Sequence, residues 1–95
     1  MKKRVFRIYS QVSEYNFSGL HQTKATYLTT VPNVSPTVKE IRSLVRELFP
    51  EYQIDETWSS LAETIRSNLD IGYISVPFKG NDEFISRSCL LEEVL

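Results

Sequence analysis

Hydrophobic and polar residues alternate at the start of the chain. In RVFRIYSQV (4–12), Phe6, Ile8 and Val12 fall on one side and Arg7 and Gln11 on the other. That period of two marks a half-buried strand, with Val5 and Tyr9 adding apolar surface to its outer side. TKATYLTTV (23–31) is rich in Thr, Tyr, Val and Leu, which suit a pleated surface. The intervening SEYNFSGLHQ exceeds a tight turn, so an N-terminal antiparallel hairpin with a long loop is expected. The period then becomes helical. Val38, Ile41, Leu44, Val45, Leu48 and Phe49 share one face of a helix that Pro50 ends. Its start is marked twice: Ser35 can cap with Pro36 at the first helical position, or Thr37 can cap with Glu40 closing a capping box. A second amphipathic helix, starting near Asp55 or Thr57, repeats the spacing through Trp58, Leu61, Ala62, Ile65 and Leu69. IGYISVPF (71–78) reads as a strand whose Pro77 belongs at a sheet edge. KGND reads as a turn, EFISRSC as a returning strand and LLEEVL as a last helical turn.

These elements predict an α+β fold: an N-terminal β-hairpin, two amphipathic helices packed on one face of a small antiparallel sheet, and a C-terminal strand pair. The passage from ATYLTTVP into TVKEIRSLVRELF resembles the hairpin-to-helix passage of ubiquitin-like β-grasp domains. The resemblance covers about a third of the chain and bears on fold alone.

Composition narrows the function classes. At 95 residues the chain is expected to form one domain with a single core. An apolar share of 41% and a charged share of 24% fit neither a disordered chain nor a membrane span. MKKRVFRIYS begins basic but alternates at once, where a secretory signal carries an unbroken apolar stretch. Cys89 is the sole cysteine, so no internal disulfide forms and a reducing, cytoplasmic location is expected. A structural zinc site needs four Cys or His ligands, and only His21 and Cys89 are present. Gly19, Gly72 and Gly80 are too far apart for a phosphate-cradling loop. No cofactor, metal or catalytic group is expected, and the chain reads as non-enzymatic.

Charge changes the picture more. Residues 1–46 hold eight Lys or Arg against two Glu, a net of +6. Residues 47–95 hold three against ten acidic residues, a net of −7, so the overall −1 hides two halves of opposite sign. Three surfaces follow as candidate partner-binding sites. Lys39, Arg42 and Arg46 form a basic stripe on the first helix, suited to carboxylates or phosphates. Glu51, Tyr52, Asp55 and Glu56 form an acidic edge. FPEYQIDETWSSL, which holds them, is similar to barstar-type ribonuclease inhibitors, in which a Pro-Glu-Tyr loop leads into a helix bearing Asp and Trp. It departs from that pattern in a shorter loop without glycine and in Ser59, where a second aspartate is expected. The similarity implies that these four residues contact the partner. The third surface is the hairpin loop, where Tyr15, Phe17 and His21 stand in a segment with no periodicity to bury them.

The function expected from all this is a small protein-binding domain, of inhibitor or immunity type. A phage-encoded inhibitor of a host defence or nucleic-acid-handling protein would suit such a chain. Self-association as a homodimer is compatible with it, and a membrane partner is not expected. The alternative is a nucleic-acid-binding regulator using the basic stripe and KKRVFR, although a pI of about 5.8 is far from the usual basic footprint. A third class, a small hydrolase, has only the general-base chemistry of His21 behind it.

Overall fold

The computed structural model describes residues 3–19, 21–56, 61–68, 72–80 and 84–95. Strand β1 spans Arg4–Tyr15 and β2 spans His21–Val34. Helix α1 covers Val38–Leu48 and α2 Leu61–Asn68; β3 is Tyr73–Pro77 and β4 is Ile85–Glu93. The four strands make one sheet in the order β2-β1-β4-β3, and every pair is antiparallel. The domain is therefore α+β: a four-stranded antiparallel sheet and two helices.

The hairpin is longer than its apolar pattern. β1 continues to Tyr15 and β2 begins at His21, so half of the expected loop is strand. The cause is pairing on both flanks of β1, which meets β2 on one side and β4 on the other as far as Glu14. Only residues 16–20 connect the two strands. There Asn16 Oδ1 accepts from Ser18 N–H at 3.1 Å and Gly19 takes φ 84, a conformation glycine adopts without strain. The expected terminal helix is also strand. Leu91 pairs with Ile8 on one side and Ile74 on the other, and all three are fully buried. A helical turn would break that row. Glu92 and Glu93 pair with Arg7 and Arg4 of β1 at 3.2 and 2.9 Å.

Alternation sorts the sheet into two faces. Phe6 and Ile8 of β1, Ile74 and Val76 of β3, and Cys89 and Leu91 of β4 lie on one face and are buried. They form a single cluster with Ile41 and Val45 of α1, Leu61 and Ile65 of α2, and Val34, Phe49 and Phe78. At the start of α1, Thr37 is the cap, its Oγ1 accepting from Glu40 N–H at 3.3 Å. The Glu40 carboxylate reaches back past it to Ser35 N–H. At the far end Phe49 N–H donates to Val45 O at 2.9 Å before Pro50 stops the helix. Trp58 and Leu69, expected on α2, lie outside the described residues, as do Ile71, Leu20 and half of the KGND turn.

Cys89 is completely buried, and loss of water pushes its thiol up to about 12. At pH near 8 a thiol reagent should therefore label the native protein only as fast as the core opens, and label it at once in urea. Rapid native labelling would place Cys89 outside the core.

Candidate functional site

The other face of the sheet carries no helix among the described residues. Its rows follow from the register. Tyr27, Tyr9, Leu90 and Ser75 lie side by side across the four strands; Thr30, Arg7, Glu92 and Tyr73 form the next row. Toward the hairpin end come Ala25, Gln11, Ser88 and Pro77, then Thr23, Ser13 and Ser86, and finally Tyr15 with His21. The side chains are tied to one another. Tyr9 and Tyr27 meet edge to face at 5.8 Å, Tyr27 Oη and Thr30 Oγ1 are 2.7 Å apart, and Ser88 Oγ donates to Gln11 Oε1 at 3.2 Å. Thr23 Oγ1 lies 3.1 Å from Ser13 Oγ and 3.0 Å from His21 Nε2.

Arg7 and Glu92 are the charged residues of this face, and they neutralise each other. Tyr9 Oη also donates to Glu92 Oε1 at 3.2 Å. Loss of water around the phenol, reinforced by that carboxylate, holds the Tyr9 hydroxyl above its ordinary value, so it stays a donor. Beside this group a shallow concavity of about 420 Å³ is lined by Gln11, Tyr73, Ser75, Leu90 and Glu92. The face is thus neutral, flat and rich in hydroxyls, with tyrosines as its largest exposed groups: Tyr27 is 55% and Tyr73 43% exposed.

The sequence-derived surfaces fall in three places. Tyr15 and His21 are strand ends, with their rings stacked at 4.4 Å, and so belong to the edge of the open face. Phe17 is 95% exposed beyond them, with its ring edge on to Phe84 at 5.0 Å. The basic stripe and the acidic edge do not form separate faces. Arg42 donates from one guanidinium nitrogen to both oxygens of Glu56, at 2.8 and 3.1 Å. Tyr52 stacks on Phe78 at 5.0 Å, while Asp55 N–H donates to Pro77 O. Glu51 is exposed at the turn after α1, and Lys39 is exposed on α1. Arg46 lines a concavity of about 410 Å³ with Tyr52, Gln53, Ile54, Glu56 and Lys79. Together with Arg4–Glu93 and Arg7–Glu92, the Arg42–Glu56 pair joins the positive half of the sequence to the negative half.

The hydrogen bonds from Arg42, aided by Leu61 N–H, hold the Glu56 carboxyl below its ordinary 4.5, with burial opposing them. A depressed carboxylate stabilises the fold fully above its unfolded value and loses that contribution as pH falls through the lower folded value. Both partners are about one-third exposed, so the pair contributes less than about 1 kcal/mol. Glu56→Gln should therefore lower stability slightly at pH 7 and flatten the urea midpoint against pH below 4.5. An unchanged acid profile would mean that the pair does not persist in solution.

Tyr27, Tyr73 and Leu90 have no part in the sequence-derived sites. Each stands on the polar side of an alternating strand, which is a readable signal, but only the register brings them into adjacent rows. Among the described residues no group of three His, Cys, Asp or Glu side chains converges as a metal site would require. No described helix is long and apolar enough to cross a membrane. Comparison of the chain with family models, curated proteins and solved structures found no match.

Proposed function

We propose that this chain is a small protein-binding domain, of inhibitor or immunity type, that docks its partner through the helix-free face of the sheet. The observation that carries this reading is the composition of that face. Among the described residues it is a neutral surface whose one cation and one anion are paired, studded with tyrosines and short hydroxyls. Tyrosine supplies contact area together with a hydrogen-bonding tip and is enriched at interface hot spots. The partner surface that fits is likewise neutral, offering apolar side chains to Tyr27 and Tyr73 and carbonyls to the hydroxyls.

Nucleic acid fits this surface poorly, because phosphate binding requires unpaired cations along one face. Arg4, Arg7 and Arg42 are each in an ion pair, and Lys39 and Arg46 remain on a different surface. The likeness of the β2–α1 passage to β-grasp domains belongs to this proposal as a statement about fold. The inhibitor assignment, with a phage-encoded role as one form of it, rests on the domain's size and its neutral docking surface.

The test is quantitative affinity capture from cell lysate with tagged wild type, Tyr27→Ala/Tyr73→Ala and Lys39→Glu/Arg46→Glu. A protein lost with the tyrosine variant and retained with the charge-reversed one is expected. Nucleic acid recovered with wild type and lost only with the charge reversal would replace this reading by the regulator.

A further inference from the structure

The two edges of the sheet are treated differently. At the C-terminal end of β3 the segment 53–55 lies down as an extra rung. Ile54 bridges Phe78, Asp55 N–H donates to Pro77 O at 2.8 Å, and Lys79 N–H donates to Gln53 O at 2.7 Å. Pro77 has no N–H to leave bare. Among the described residues the other edge, β2, pairs only with β1 over its 14 residues. Its C-terminal half carries features that discourage a further strand: register shifts near Leu28 and near Pro32–Asn33, Asn33 at φ 58, and the proline itself. His21–Tyr27 carries none of these. It runs in unbroken register with Tyr9–Tyr15, and all its residues are exposed. A bare edge of this kind is a template for another strand.

Lys24 decides which strand. It is the one Lys or Arg in β2 and faces the helix side of the sheet, beyond the helices. There it borders a concavity of about 610 Å³ with Val12, Glu14, Gln22, Thr23 and Arg87. A second copy laid antiparallel over the same seven residues would set the two Lys24 ammonium groups directly against each other at the centre. Like charges so placed are unfavourable. A strand carrying a carboxylate at that position, beside the Lys24 ammonium group, is complementary instead.

We infer that His21–Tyr27 accepts an extended strand from the partner protein, with an Asp or Glu beside Lys24 and an apolar or aromatic residue beside Tyr27. Main-chain hydrogen bonds supply the affinity and these two side-chain positions the specificity. Lys24 and Tyr27 lie on opposite faces of β2, so the acidic and apolar residues must project from opposite sides of the incoming strand. The inference rests on the protein-binding reading and extends its surface at Tyr27, which belongs to both the open face and the edge.

Random linear peptides displayed on phage, selected on wild type and on Lys24→Glu, test it. Wild type should enrich peptides with Asp or Glu three positions from an apolar residue, and Lys24→Glu should enrich Lys or Arg at the acidic position. An acidic peptide should lose about tenfold in affinity on Lys24→Glu. By amide exchange it should protect His21–Tyr27. No enriched peptide, an acidic position indifferent to Lys24→Glu, protection confined to other strands, or sedimentation as a dimer through β2 would each overturn the inference. The two readings fail separately. A captured partner lost with Tyr73→Ala but indifferent to Lys24→Glu leaves the open-face reading standing and ends this one. Peptides that obey Lys24 beside a partner that ignores Tyr73 do the reverse.

Discussion

Phe78→Ala should lower the stability of this domain by about 3–5 kcal/mol, the cost of emptying a well-packed aromatic site. Phe78 is 1% exposed and holds together parts of the chain that are far apart in sequence. Its ring lies 5.3 Å from that of Phe49 at the end of α1 and 5.0 Å from Tyr52 in the following segment. Its N–H donates to Arg87 O of β4, and it bridges Ile54. Truncation therefore opens a cavity where α1, the 52–56 segment and the β3–β4 pair meet, and none of the three can close it alone. At roughly 0.05–0.15 kcal/mol per residue, a domain of this length has about 5–14 kcal/mol in total. The loss is thus about a fifth of the total or more. At roughly 4–8 °C per kcal/mol, the Tm should fall by at least about 12 °C. Urea titration and calorimetry measure both. Phe17→Ala is the control: the same residue type at 95% exposure should change stability by no more than about 0.5 kcal/mol. A Phe78→Ala variant within about 1 kcal/mol of wild type would show that the 52–56 segment is not seated on β3.

The largest effect on binding is expected at Tyr73 and Tyr27. Once a captured partner is in hand, truncating a central interface tyrosine should weaken binding by about 2 kcal/mol, roughly thirtyfold in Kd. Tyr73 is the stronger candidate, because it stands beside the concavity with Ser75, Leu90 and Glu92, where a partner side chain can be enclosed. Tyr27 stands on the edge strand, its ring edge to face with Tyr9 and its hydroxyl bonded to Thr30. Both rings are near half-exposed, so their loss should leave the urea midpoint almost unchanged. That separation of binding from folding is the decisive readout. If binding falls only in step with stability, the open face is scaffold and the partner sits elsewhere. A change at Tyr9 would be harder to interpret, since its hydroxyl also serves Glu92 and thereby the Arg7 pair.

Much of the architecture is determined by the sequence itself. The alternation of Phe6 and Ile8 with Arg7 sets β1. The spacing of Ile41, Leu44, Val45 and Leu48 between Thr37 and Pro50 sets α1. Pro77 marks the end of β3. These signals are local, since backbone geometry fixes the period and caps or prolines fix the ends. What local pattern could not determine is anything that depends on a partner strand. The extension of β1 to Tyr15 and of β2 back to His21 depends on β1 being paired on both flanks. The strand at LLEEVL depends on Leu91 fitting between Ile8 and Ile74, although its residues favour a helix equally well. Charge shows the same division. Sequence order separates a basic half from an acidic one, but strand order places β4 beside β1 and folds Glu56 back onto Arg42. The halves meet at three ion pairs among the described residues, so sequence order by itself does not map each half's charge onto a separate surface. The open face itself, with Tyr27, Tyr9, Leu90 and Tyr73, is assembled from four strands drawn from the two ends of the chain. Only the register of the sheet puts them on one face, because side-chain direction in a strand is decided by pairing and burial together.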